Sequence, residues 1–167
     1  MTTVEEKTIQ VYRVYINATP QAVWDAITKP EFTERFGYGG RADYDLRPGG
    51  AYRGFASPEM IAGGSPELAV DGEVIESDPP RRLVQTWRML MDEGMIAEGF
   101  TRLTYEIKPR QGGVTALTVT HDLTGAPKLQ SLLAGEWDET GAGGGWPWVL
   151  SSLKTLLETG DTLNWPG

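Results

Sequence analysis

The chain has 167 residues, 15 Lys and Arg against 23 Asp and Glu for a formal net charge of -8, and no cysteine. The negative charge, with no segregated basic stripe to offset it, disfavours approach to nucleic-acid phosphates, and the lack of cysteine excludes disulfides, thiolate nucleophiles and zinc-thiolate or iron-sulfur sites. With 40% hydrophobic and 23% charged residues, no apolar run near the roughly 20 residues of a membrane span and no basic-then-apolar leader, the sequence reads as one cytoplasmic globular domain over residues 1–167.

Residues 8–16, "TIQVYRVYI", are rich in β-branched and aromatic types and predict a strand. The period then changes: Thr19 can cap and Pro20 can open a short helix carrying Val23, Trp24 and Ile27 on one side. "KPEFTERFG" predicts a second short helix, with Phe32 and Phe36 on one face and Gly37 as terminator. From about 42 to 122 the chain reads as strand and turn, punctuated at Pro48-Gly49-Gly50, Asp78-Pro79-Pro80 and 109–113. Alternation is clearest in the last three strands, which place Leu83, Gln85, Trp87 and Met89, then Leu103, Tyr105 and Ile107, then Leu117, Val119 and His121 on one face. Arg88, Arg102, Thr104, Glu106, Thr118 and Thr120 take the other, so the sheet is antiparallel with one wet side. "ASPEMIAGGSPELA" reads as a long loop and "MDEGMIA" as a hairpin end.

The closing helix opens on Pro147 and brings Trp146, Val149, Leu150, Leu153, Leu156 and Leu157 within about 100° of arc, ending at Gly160. Trp148 falls off that stripe, at the rim of the helix contact. The glycines in "EWDETGAGGG", 136–145, read as a hinge that lets the helix lift. One helix about 10 Å across is too narrow to cover a sheet of six or seven strands, and a curved sheet gripping it leaves a hollow beneath.

Five segments in this order, "ATPQAVWDAITKPEFTERF", "LRPGGAYRG", "DGEVIESDPPRRLVQTWR", "TALTVTHDL" and "GGWPWVLSSLKTLLETG", resemble the SRPBCC, or START-like, superfamily, within the branch named for the activator of the heat-shock-protein-90 ATPase. The resemblance implies an α+β helix-grip fold: a curved antiparallel sheet of six to seven strands around a long C-terminal helix, with two short helices after the first strand. It also implies a deep cavity that in many relatives takes an apolar or aromatic small molecule. Lipid carriers, polyketide aromatase/cyclases, hormone receptors and chaperone activators share the superfamily, so the fold leaves the function open.

The expected ligand-binding set is Trp87, Met89, Tyr105, His121 and Gln85 from the sheet, Trp146, Val149 and Leu153 from the helix, and Phe55 at the mouth. His121, the sole histidine, is open to three readings: a hydrogen-bonded wall residue, a ligand contact, or a general acid or base. No residue is assigned as catalytic, and no cofactor or metal is expected. The expected partner is a hydrophobic or aromatic small molecule. Two alternatives stand beside it: an aromatase/cyclase-like enzyme in which His121 or Tyr105 moves a proton, and a chaperone- or regulator-binding module using a patch around Trp148 and Trp165.

Overall fold

The computed structural model describes residues 7–140 and 144–163. Seven strands form one antiparallel sheet: β1 (Ile9–Ile16), β2 (Ala42–Tyr44), β3 (Ala51–Phe55), β4 (Leu68–Asp78), β5 (Arg82–Met89), β6 (Thr101–Pro109) and β7 (Thr115–Asp122), in the spatial order β1-β7-β6-β5-β4-β3-β2. From β2 to β7 each strand pairs with the next in sequence, and only β1 crosses over, to pair with β7. The register slips between Gly54 and Phe55 and again between Val74 and Glu76. Irregularities of this kind bend a strand and raise its twist, and here both lie on β3 and β4, at the end of the sheet away from β1.

Helices α1 (Pro20–Thr28) and α2 (Pro30–Thr33) follow β1. The Thr19 hydroxyl accepts from the Ala22 amide at 3.1 Å, giving α1 its cap. Lys29, held extended ahead of Pro30, divides the two helices. Two segments expected as loop and hairpin end are helical instead. Ser57 caps α3 (Pro58–Ala62) through the Met60 amide at 3.3 Å, and Asp92 caps α4 (Glu93–Glu98) through the Met95 amide at 3.1 Å. A further helix, α5 (Pro127–Leu133), follows β7. One or two turns are too short to display a 3.6-residue period, so only their caps announce them.

The closing helix, α6 (Gly145–Thr159), begins two residues ahead of Pro147 and ends at Gly160 in the left-handed conformation, φ +78°. It buries Trp146, Leu150, Leu153 and Leu156 on its sheet-facing side, and Ser152, which accepts from the Gly37 amide at 3.0 Å. The sheet supplies Leu83, Leu103, Ile107, Leu117 and Val119, all at most 1% exposed, and Val23 and Ile27 of α1 close the same core. At about 25 cal/mol per Å² of apolar surface, such a cluster supplies the dominant favourable term in folding. On the convex side the cross-strand pair Asp71 and Arg88 forms a two-pronged ion pair at 2.8 and 3.0 Å, with the Arg88 guanidinium 4.3 Å from the Phe100 ring centroid.

Candidate functional site

The slips in β3 and β4 carry that half of the sheet away from α6, and a cavity of about 840 Å³ opens between them. Its sheet wall consists of Tyr44, Tyr52, Trp87, Met89 and Tyr105. Trp146, Val149, Leu150 and Leu153 of α6 form the opposite wall. Phe55, with the Arg41 guanidinium 4.3 Å from its ring centroid, stands beside Met60 of α3 and Met95 of α4. The far end is closed by Leu133 of α5 and by Trp137, whose indole N–H donates to Ser131 Oγ at 3.0 Å.

Seven of the nine residues expected at the site therefore lie together around this space: Trp87, Met89, Tyr105, Trp146, Val149, Leu153 and Phe55. Gln85 and His121 share their strand face but do not line it: both are completely buried, Gln85 against Tyr44 and His121 against Trp146. The Gln85 amide oxygen accepts from the Tyr44 hydroxyl at 2.6 Å. His121 sits in a directional chain. The Trp146 indole N–H donates to His121 Nδ1 at 3.2 Å, which puts the ring proton on Nε2, where it meets Thr101 Oγ1 at 2.7 Å. Thr101 in turn donates to the Trp87 carbonyl at 2.9 Å.

Burial drives the His121 pKa down to about 3, overriding a small opposing influence of Asp122. The imidazole is thus neutral at physiological pH, with both nitrogens occupied inside the protein. Its role is to fix the Trp146 ring, which meets His121 edge-on at 6.0 Å and Tyr105 at 6.1 Å between centroids.

The sequence reading missed Tyr44 and Tyr52, whose rings stack at 4.6 Å, and it missed Met60 and Met95. The tyrosines lie on strands of three and five residues, too short for alternation to assign a face. The methionines lie on the two capped helices, and the Ser57-Pro58 and Asp92-Glu93 pairs are the signals that could have found them. Four of the chain's five methionines, Met60, Met89, Met91 and Met95, line this one cavity. Their unbranched, polarisable side chains adapt to irregular guests and make favourable contacts with aromatic rings.

Burial holds the phenols of Tyr44, Tyr52 and Tyr105 above their ordinary pKa, Tyr52 at about 12 despite an opposing hydrogen bond from the Trp87 side chain. They remain protonated, and the Tyr44 hydroxyl donates to Gln85 while that of Tyr52 accepts from Trp87. At the rim, Arg41 pairs with Asp43 at 3.5 Å and Asp92 with Lys128 at 2.8 Å, and Glu59 adds a further carboxylate.

Gly144 and Gly145 are closely packed. A Cβ on Gly145, φ +65°, would stand 2.2 Å from the Leu133 carbonyl oxygen, and the Gly145 amide donates to the Tyr38 hydroxyl at 3.0 Å. The Trp148 indole N–H donates to the Gly37 carbonyl at 2.9 Å. Residues 141–143 of the expected hinge, and Trp165, lie outside the described residues.

A family model described as Activator of Hsp90 ATPase homolog 1-like protein matches residues 17–158. Among solved structures, a protein from Mesorhizobium loti is similar at 21% identity and a TM-score of 0.64, over 90% of this chain and 96% of that one. The Aha1 dimer from Colwellia psychrerythraea is similar at 18% identity and a TM-score of 0.63, over 92% and 98% of the two chains. An HSP90 activator from Plasmodium falciparum is similar at 20% identity and a TM-score of 0.54, over 92% and 89%. At these identities the likeness establishes a shared fold. No curated protein matches the sequence.

Proposed function

This chain belongs to the Activator of Hsp90 ATPase homolog 1-like family of the SRPBCC superfamily, and from that premise we propose that it is a binding protein for an apolar or aromatic small molecule, held between the sheet and α6. The observation that carries this reading is the cavity of about 840 Å³ with its wall of aromatic and methionine side chains. Small-molecule sites typically span about 300–1,000 Å³ and combine apolar walls with few polar groups. A solid core at normal packing density has no room of this size, and leaving it unfilled forfeits dispersion contacts that a guest restores.

The enzyme alternative loses its main candidate, because His121 is spent on Trp146 and Thr101 and does not reach the space. Chaperone contact is the second reading, favoured by the family match. Trp148 is a poor handle for it, being half-buried and tied to Gly37.

Two measurements test the first reading. Native mass spectrometry of the purified protein should find a copurifying aromatic or lipid-like compound, and a library of neutral aromatics should contain members that raise the melting temperature and quench tryptophan fluorescence. Saturation at about 100 times Kd stabilises the fold by about 2.7 kcal/mol, a shift that is easily read. A protein that emerges empty and responds to no compound in either assay has no such role. Stimulation of a purified Hsp90 ATPase by the same preparation would favour the second reading instead.

A further inference from the structure

Resting on the small-molecule reading, we propose that the Tyr105 hydroxyl is the recognition group of the cavity, donating a hydrogen bond to a neutral carbonyl oxygen on an aromatic guest, such as that of an aryl ketone or quinone. The tyrosine hydroxyls and indole N–H groups on the walls differ in whether they are already engaged. The Tyr44 hydroxyl donates to Gln85, the Trp146 indole to His121, the Trp137 indole to Ser131, and the Tyr38 hydroxyl accepts from the Gly145 amide. Tyr52, like Tyr38, is engaged as an acceptor, in its case from the Trp87 side chain, and Tyr105 is the one tyrosine among these whose hydroxyl neither donates to nor accepts from a described residue.

The Tyr105 hydroxyl has no hydrogen-bond partner among the described residues. It is not a stranded buried atom either, since among those residues only Ser77 Oγ is both buried and unpaired. Its hydroxyl therefore meets open cavity space. The strand shows the same thing: Leu103 and Ile107, on the same face of β6, are at most 1% exposed, while Tyr105 between them is only half-buried. The edge-on contact with Trp146, itself fixed by His121, holds the ring and aims the hydroxyl before a guest arrives. A preorganised donor loses little entropy on binding.

The chemistry of the guest follows from what surrounds this donor. Burial keeps the phenol protonated, so the guest must supply an acceptor. A carboxylate would be buried without a counter-ion, because Arg41 is already paired with Asp43 and stacked on Phe55. The site thus selects a neutral oxygen over the charged head of a free fatty acid. The ring walls and the methionines suit a flat aromatic body.

Three probes test this by tryptophan fluorescence titration: flavone, which has a ring ketone; 2-phenylnaphthalene, of similar shape without oxygen; and oleate. In the unaltered protein, flavone should bind up to about tenfold more tightly than the hydrocarbon, the size expected of one net hydrogen bond, and oleate more weakly than either. Tyr105→Phe should erase the preference for flavone and leave the hydrocarbon affinity within about twofold. Equal binding of flavone and hydrocarbon by the unaltered protein overturns the assignment while sparing the cavity reading. So does a preference that survives in Tyr105→Phe, or a parallel loss for both probes. Binding of none of the three removes the cavity reading as well. The comparison between probes needs no variant, so it stands even if Tyr105→Phe folds poorly.

Discussion

His121, which the sequence leaves open to three readings, has both ring nitrogens turned to partners inside the protein. Its ring carries one hydrogen bond on each nitrogen and is fully buried, and its pKa of about 3 is well below the ordinary histidine value of 6.5. The unfolded chain therefore takes up a proton as the pH falls below about 6.5, while the folded protein does not until about 3. Stability is fully present above that window and is lost on descending through it, at a slope of up to about 1.4 kcal/mol per pH unit. Asp92, Asp122 and Glu158 also have lowered pKa values, but their contribution fades only near the ordinary carboxylate range of about 4. Urea midpoints between pH 4.5 and 6.5 thus isolate the histidine. His121→Phe should cost about 1–3 kcal/mol at pH 7, because the buried Trp146 N–H loses its acceptor, and should flatten the pH dependence in that window. Identical slopes in the two proteins would remove this account of His121.

At the scale of elements, the glycines around α6 do different jobs that the sequence cannot distinguish. Gly145 and Gly160 both take positive φ, +65° and +78°, which a side chain resists. A Cβ on Gly160 would meet nothing within 4 Å, whereas on Gly145 it would meet the Leu133 carbonyl at 2.2 Å, at the junction of α5 and α6. Gly160→Ala should cost about 1 kcal/mol and Gly145→Ala at least about 2 kcal/mol more, with a matching order of melting temperatures. Comparable losses would mean that the α5–α6 junction gives way freely. The same contrast marks what could be read ahead of the structure. Alternation assigned Leu83, Gln85, Trp87, Leu103, Tyr105, Leu117 and His121 to one face, and all of them point inward. The helical period likewise identified Trp146, Leu150, Leu153 and Leu156 as the buried stripe. Periodicity gives a face but not a depth along the strand, so it could not tell Tyr105, which looks into the cavity, from His121, which lies under α6. Nor could it register α3, α4 and α5, whose five to seven residues complete at most two turns.

At the scale of the molecule, the open question is why a domain with this much apolar surface leaves about 840 Å³ unpacked. The physical account is geometric: a sheet bent by two register slips is gripped by one helix, and the helix meets only the β1 side closely. The space is then part of the folded state, and its walls lack the packing contacts that a filled core has. That claim can be tested without knowing the ligand, by adding volume at two alanines. Ala26 of α1 is completely buried and does not line the cavity, while Ala69 of β4 is equally apolar and 5% exposed but borders it. Overpacking a filled core typically costs about 1–3 kcal/mol, so Ala26→Leu should destabilise by that amount. Ala69→Leu should be neutral or mildly stabilising, because its added carbons enter empty space and gain contacts there. The same substitution should weaken binding of any cavity guest, separating stability from function in a single variant. Chemical denaturation and a titration with whichever aromatic probe binds give both readings. If Ala69→Leu costs as much as Ala26→Leu, the interior is tighter than the geometry indicates and no guest has room.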